Sequence, residues 1–529
     1  MRKLPIGIQS FEKLREDGYL YVDKTEYIWD LVNSGAVYFL SRPRRFGKSL
    51  LISTMQAYFE GKKELFDGLA ISEHEAEKPI EEQWRSYPVI HFSLAGGEFT
   101  REGGLAAALD ADMSYIARKY GLDANDIAGD DISVRLKKLI RSLKERTGSQ
   151  VVVLVDEYDK PLLANISMNT GLLEKNRIVY KGIFGILKDM DAYLKFVFFT
   201  GVTKFSKVSI FSDLNQLRDI SLESEFSGIC GITENELQKN FQENIKIMSE
   251  AQDLTINETL ERLSRTYDGY HFSSQSEGVY NPFSLLNAFA SKKFGRYWFE
   301  TGTPAFLIKK LQESGANVQD FSTGIRATES RLMNSHADDF DLIPLYYQSG
   351  YLTIKGYDPV FQEYILSYPN DEVRYGYIEA LIPTVNAQYA SRGSDFSAGR
   401  MVTSLVTGDI ENVMTMLQAL FASIPYYEGQ APQNEQQWRN LLFAVFSVLG
   451  QYVRTEIHTS KGRSDCVLEN EDYVYIFEFK QDRTADEALR QIEEKGYAAP
   501  YAAGGKHVIK IGANVSMEKK TLDEWKIST

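Results

Sequence analysis

The sequence predicts an α/β protein, with a parallel sheet wrapped by helices in its first two hundred or so residues and an αβββαβ unit in its last hundred. Three observations carry this. Largely apolar runs at 37–40, 88–94, 151–155 and 195–199 alternate with stretches of helical periodicity, as strands buried on both faces do. Two of those runs end in chemistry-bearing residues, Gly47-Lys48-Ser49 near the first and Asp156-Glu157 at the third. Near the end, the apolar run 473–477 passes into the alternation Phe477-Glu478-Phe479-Lys480, the period of a strand.

The run at 37–40 leads into Gly47-Lys48-Ser49, and Leu50, Leu51, Met55 and Tyr58 continue at helical spacing. Strand, turn, Gly-Lys-Ser and helix make the layout of a phosphate-binding loop. Backbone N–H groups at Gly47 and the helix N-terminus face the phosphates, Lys48 neutralises them, and the Ser49 hydroxyl reaches Mg²⁺. Arg42 stands where the first glycine of the G-x-x-x-x-G-K-[ST] pattern belongs, followed by Pro43, Arg44 and Arg45, the two arginines being further phosphate contacts. Alone, the stretch reads equally as a basic turn before an amphipathic helix. The strand ending at Asp156 shifts the balance: in phosphate-loop enzymes such an acid holds the Mg²⁺ shell, and a following acid, here Glu157, orients or deprotonates the attacking water. Its bland alternative is a core strand ending in a solvated acidic turn.

Tyr21-Val-Asp-Lys-Thr25, Arg42-Pro-Arg-Arg-Phe-Gly-Lys-Ser-Leu50 and Asp156-Glu-Tyr-Asp-Lys-Pro161 resemble the bacterial AAA-ATPase-like proteins, predicted ATPases fused to a C-terminal nuclease domain of the PD-(D/E)xK type. Tyr267-Asp-Gly-Tyr270, Asn281-Pro282, Thr301-Gly-Thr-Pro304 and Ser349-Gly-Tyr-Leu-Thr353 extend the resemblance over nearly the whole chain. It implies an AAA-like core that binds ATP and Mg²⁺, and arginine at position 42 is normal for the family. It also implies a polar γ-phosphate sensor at the end of the strand 195–203, with Thr200 first and Asn215 second, though both also fit strand-end and turn roles. AAA-like ATPases usually work as rings, so a homo-oligomer is the expectation from the resemblance.

Composition bounds the rest. A chain of 529 residues, 43% hydrophobic, holds several globular domains. No apolar run approaches membrane-spanning length, and the first residues do not form a signal peptide. Two cysteines, Cys230 and Cys466, point to a reducing, cytoplasmic setting, and the six scattered histidines have no metal-ligand spacing. The net charge of −14 excludes a general nucleic-acid coat and confines any such contact to a local basic groove.

In chain order, 1–230 is the expected ATPase core, 231–300 a helical lid opened by the capping box Thr233–Glu236, 301–425 a helical, winged-helix-like module with a hairpin around 356–359, and 426–529 the nuclease-like domain. Asp23 or Thr25 is expected to cap an early helix, and Asp23-Lys24-Thr25 alternatively lines the nucleotide pocket. Helices are expected at 105–120, 132–146, 172–193, 376–390 and 405–422, and the polar stretch 426–434 is the expected linker. Arg262 or Arg265 in the lid either reaches the γ-phosphate or forms a surface salt bridge.

In the last hundred residues, a helix at 435–449, strands at 452–459, 464–468 and 473–480, a helix at 484–495 and a strand at 507–511 give the order of the PD-(D/E)xK core. Glu478 and Lys480 fall on one face of their strand, and Phe477 and Phe479 on the other. Asp465 and Glu478 are the expected Mg²⁺ ligands (Mn²⁺ is an alternative ion), because a hard cation takes carboxylate oxygens. The metal lowers the pKa of a bound water, and Lys480 orients or activates it. Glu435 is a further ligand candidate, and Gln491 with Tyr497 resembles a motif some relatives carry. The competing reading is an ordinary α/β module with solvated charges at its strand ends. At the level of the whole chain, an ATP-driven, Mg²⁺-dependent nuclease acting on DNA or RNA competes with a nucleotide-switched scaffold whose nuclease-like domain binds without cutting.

Overall fold

The structure, a computed structural model, describes residues 2–529 apart from 166–170, 205–210, 212–213, 215, 303–320, 322–323, 334–341, 382–397, 423–441, 443, 447–448, 450–453, 458–465, 471, 502–504 and 520. Asp465, Glu435, Asn215 and the expected linker at 426–434 therefore lie outside the described residues. The chain forms two compact units, Met1–Gly302 with Gly324–Glu372, and Thr303–Thr323 with Val373–Thr529.

The first unit is built on β1 (Val37–Ser41), β2 (Val89–Ser93), β3 (Val151–Asp156), β4 (Leu194–Gly201) and the short β5 (Arg218–Asp219), all parallel, in the order β2-β3-β4-β1-β5. β1 and β3 are buried along their whole length, which is why they read as unbroken apolar runs. Leu105, Leu109, Met113, Leu136, Leu139, Ile140 and Leu143 pack onto this sheet from α2 (Gly104–Lys119) and α3 (Ile132–Thr147). The helix after the Gly-Lys-Ser turn is α1 (Lys48–Phe59). α4 (Leu172–Asp189) ends four residues short of the expected bound at 193.

The sequence 233–291 forms helices as expected, α5 (Glu234–Asn240), α6 (Gln242–Gln252), α7 (Ile256–Tyr267) and α8 (Pro282–Ser291). Thr233 and Glu236 make the capping box. The same Glu236 carboxylate receives the buried Lys24 ammonium at 2.6 and 2.7 Å, and the Gly228 carbonyl accepts from it at 2.7 Å. Asp23 serves as a tie between helix starts: it accepts from Thr25 N at 2.8 Å and from Ala70 N at 2.8 Å. Asp23-Lys24-Thr25 is thus spent on helix starts and an ion pair.

After α9 (Tyr297–Gly302), the expected hairpin is β8 (Glu363–Ser367) against β7 (Thr353–Asp358), with β6 (Ile325–Thr328) added on the far side of β8. α10 (Glu329–Met333) and α11 (Leu342–Ser349) join β6 to β7.

In the second unit, the expected helices at 376–390 and 405–422 correspond to Asp371–Leu381, Ala398–Thr407 and Ile410–Ala422. The sheet is five-stranded, β13-β12-β11-β10-β9, from β9 (Arg454–Ile457), β10 (Cys466–Glu469), β11 (Tyr473–Gln481), β12 (His507–Ser516) and β13 (Thr521–Ser528). Only β11 and β12 are parallel, joined through the helix Ala485–Glu494. β13 is an edge strand beyond the expected set, and β12 runs five residues past its expected end at 511.

Replacing Glu236 with Ala leaves the Lys24 ammonium buried without its carboxylate and removes half of a capping box. We expect a loss of about 3 kcal/mol, the usual cost of stranding one partner of a largely buried pair. The exposed Glu250→Ala change should stay within about 0.5 kcal/mol, both read from denaturant midpoints.

Candidate functional site

β1, β4 and β3 end together. Leu40 pairs with Thr200, Ser41 with Gly201, and Val155 with Phe199, so β1, β4 and β3 share one carboxyl edge. β4 lies between the other two.

The loop leaving β1 is held by Arg42, whose side chain points into the protein. It is 1% exposed, donates to the carbonyls of Ser41 at 2.9 Å, Ser221 at 2.8 Å and Phe226 at 3.0 Å, and stacks on the Phe272 ring at 3.9 Å. Arg42 therefore acts as a bolt for the loop. Arg44 and Arg45 are exposed, and Arg45 sits at φ +68° with its guanidinium 3.9 Å from the Phe283 ring centre. Left-handed backbone at a non-glycine residue costs about 1 kcal/mol or more and persists where surroundings enforce it. Trp298 Nε1 donates to the Arg44 carbonyl at 3.0 Å, Gly231 N to the Phe46 carbonyl at 3.2 Å, and the Phe46 ring packs edge-on to Tyr270.

Gly47 caps α1 at φ +95° with open space around it, so the first turn of a twelve-residue helix presents its amides without a side chain in the way. Lys48 is buried and donates to the carbonyls of Arg42 at 2.8 Å and Pro43 at 2.9 Å. Burial pulls its pKa down, against the fields of Asp159 and Asp156. Burial pushes the Asp156 carboxyl up, opposed by a hydrogen bond from Ser49 and by the Lys48 charge. Lys48, Ser49 and Asp156 thus form one electrostatic group.

Three buried polar atoms at this edge have no hydrogen-bond partner, Arg42 Nε, Asp156 Oδ1 and Thr200 Oγ1, and the two oxygens are the acceptor and hydroxyl beside Lys48. Each costs about 1–3 kcal/mol in that state. A carboxylate oxygen and a hydroxyl beside a lysine and an open helix N-terminus fit a metal-bound polyphosphate. Glu157 follows Asp156 at φ +53°, partly exposed, with Lys160 Nζ 3.5 Å from its carboxylate. Arg262 lies 4.2 Å from the Phe294 ring centre, and Arg265 pairs with Asp371 at 2.9 Å. Both arginines have partners within the lid and its neighbours.

One residue of the acid motif has a place that sequence reasoning did not assign. Asp159 is 2% exposed, and its Oδ2 accepts from Val202 N at 3.0 Å, Thr203 N at 2.7 Å and Thr203 Oγ1 at 2.8 Å. It ties the turn after β3 to the exit of β4.

In the second unit, period-two alternation sorts β11 as expected. Phe477 and Phe479 pack on Phe446 with ring centres 5.0 and 5.9 Å apart. Glu478 and Lys480 face the other way, where Lys480 Nζ lies 2.9 Å from Glu478 Oε1 and 2.5 Å from Gln491 Oε1. The Gln491 amide nitrogen donates to the same Glu478 oxygen and lies 3.5 Å from the Tyr497 hydroxyl. Gly512 allows this, since it pairs with Glu478 across the sheet and a Cβ there would lie 2.5 Å from the Ala485 carbonyl oxygen. Among the described residues no group of three metal-ligating side chains gathers, and at this place they supply one carboxylate, Glu478. A cavity of about 530 Å³ lined by Tyr473, Lys506, His507 and Lys510 lies at the opposite end of β11.

Among the described residues no helix is long and apolar enough to cross a membrane. Residues 5–211 match the family described as Predicted AAA-ATPase, and residues 433–525 match the PD-(D/E)XK nuclease superfamily. An uncharacterized protein in the vnfD 5' region of Azotobacter chroococcum mcd 1 is 35% identical over 532 residues, covering 98% of each chain. With a parallel sheet ending in a Gly-Lys-Ser turn and Asp-Glu, a Glu-x-Lys strand near the C-terminus, and a relative matched along its length, the chain belongs to the predicted AAA-ATPase family and carries a PD-(D/E)XK nuclease superfamily domain at its C-terminus.

Proposed function

We propose that the first unit binds and hydrolyses ATP with Mg²⁺, and that the second is a metal-dependent nuclease whose access to a DNA or RNA substrate follows the nucleotide state. The observation that carries the reading is the alignment of Lys48, Ser49, Asp156 and Thr200 at one strand edge, with Asp156 Oδ1 and Thr200 Oγ1 both buried and unpaired.

Gly47 and the first amides of α1 hold the phosphates, Lys48 turns from its two loop carbonyls to neutralise them, and Arg44 and Arg45 stand exposed beside them. Ser49 and Asp156 would hold Mg²⁺. The bound ion supplies charge neutralisation on the transferring phosphoryl group. Glu157 orients the attacking water, and Thr200 donates to the γ-phosphate.

In the second unit Asp465 and Glu478 hold the cation, which supplies an activated water and charge stabilisation. Gln491 fixes Lys480 and Glu478 relative to one another through its two amide atoms, so the ammonium stays directed at the carboxylate side of β11. Among the described residues Glu478 is the metal-binding carboxylate present, so Asp465 is the decisive position to test.

Lys48→Ala should abolish ATP binding or turnover, measured by nucleotide titration and phosphate release; unchanged values would assign the phosphates to Arg44 and Arg45. Glu157→Gln keeps the shape and removes the base, so ATP stays bound while turnover falls by roughly 10²–10⁴. Loss of binding instead would move Glu157 into the metal shell. Mn²⁺ should raise the melting temperature of a Lys48→Ala background, by linkage of metal binding to the folded state. Asp465→Ala on that background should lose the shift, and in the otherwise native chain it should lose cleavage of plasmid and single-stranded substrates while keeping ATPase activity. A Mn²⁺ response that survives Asp465→Ala removes the nuclease assignment and favours a binding scaffold.

A further inference from the structure

Gln348 and Gly350 flank Ser349 at the end of α11, in a stretch with no role in the site described above. Gln348 is 3% exposed and spends its amide at both ends, accepting from Lys204 N at 2.9 Å and donating to the Leu332 carbonyl at 2.8 Å. A buried amide satisfied this way is fixed in orientation, and either bond lost leaves a buried polar group unserved. Two residues on, Gly350 has φ +91°, and a Cβ there would stand 2.8 Å from Pro43 Cβ of the phosphate loop. Only glycine gives both that conformation and that approach.

The two contacts reach the two halves of the nucleotide edge. Pro43 belongs to the loop, and its carbonyl accepts from Lys48. Lys204 follows Thr203, which Asp159 holds through an amide and a hydroxyl, and Thr200 lies three residues earlier on β4. Lys204 itself pairs with Asp219 of β5. Next to Gly350, Tyr351 packs on Trp298 with ring centres 5.4 Å apart, and Trp298 donates to the Arg44 carbonyl. One short segment therefore touches the loop and the sensor-strand exit at once, and it runs straight into β7.

A γ-phosphate engaged by Lys48 on one side and Thr200 on the other sets the spacing of loop and strand exit. ADP engages only the loop side. The Gln348 hydrogen bond is directional and the Gly350 contact admits no added atom, so α11 follows that spacing. We propose that Gln348 and Gly350 are positioning residues that read the γ-phosphate and pass the nucleotide state from the loop and β4 to the β7–β8 hairpin. The proposal rests on the ATP-site reading above.

The test compares Mg²⁺·ATPγS with Mg²⁺·ADP on the full chain. In the wild type, amides in 200–204 and 342–353 should exchange with solvent about fivefold more slowly with ATPγS than with ADP, the low end of ordinary coupling between sites. ATPγS should also bind about fivefold or more tighter than ADP. Gln348→Met, which removes both hydrogen bonds at similar volume, should bring that ratio to about one while leaving ADP affinity within about twofold. A residue serving stability alone would weaken both nucleotides alike. Equal exchange of 342–353 with both nucleotides in the wild type, or an unchanged ratio in Gln348→Met, overturns the relay while the ATP site stands. Binding of neither nucleotide to the wild type overturns the ATP site and the relay together.

Discussion

The burial of the Arg42 guanidinium is the constraint on which the first unit turns. Moving that cation out of water costs several kcal/mol unless its protons are served. Here three carbonyls from Ser41, Ser221 and Phe226 serve its two terminal nitrogens, the Phe272 face covers it, and Nε alone is left without a partner. Those carbonyls come from the end of β1, the exit of β5 and the turn before the lid helices. One side chain thereby fixes where the loop leaves the sheet. The aromatic contacts of Phe46, Phe283 and Trp298 with the loop then hold its crown. A phosphate loop with glycine in that position gains conformational freedom; this one exchanges it for a rigid entry.

Much of this architecture is legible in the chain because of how the strands are covered. β1, β3 and β4 are buried on both faces and show as apolar runs, and their polar ends mark the edge where Lys48, Asp156 and Thr200 gather. The two-residue β5 carries too short a pattern to read, and β6 and β13 are edge strands with mixed polarity. The place of Arg42 and Asp159 is not legible either. Apart from the adjacent Ser41 carbonyl, their hydrogen-bond partners lie 43–184 residues away, and nothing local in the sequence says which groups arrive beside them.

The same division holds in the second unit. Strand alternation alone places Glu478 with Lys480 and sets them against the Phe477 and Phe479 face. That Gln491 reaches both depends on how near its helix lies to β12, and that distance is set by the missing side chain at Gly512. The expected strand ends at Ile511, whereas β12 continues through Gly512-Ala513-Asn514, and the glycine is a point of close helix approach.

The central position of β1 has a consequence for how the chain reaches its fold. β1 hydrogen-bonds to β4 and β5, and Val37 pairs with Val197, 160 residues later in sequence. Its apolar residues therefore stay unpaired until the crossover helices and β4 have formed, a long-range closure of the kind that slows folding. During that interval Tyr38, Phe39 and Leu40 are exposed strand-forming residues in a partly folded chain, a local aggregation hazard. Since the loop leaves the end of that strand, its geometry forms only when β4 docks. Any ligand held at that loop would therefore meet its site only once the sheet is finished.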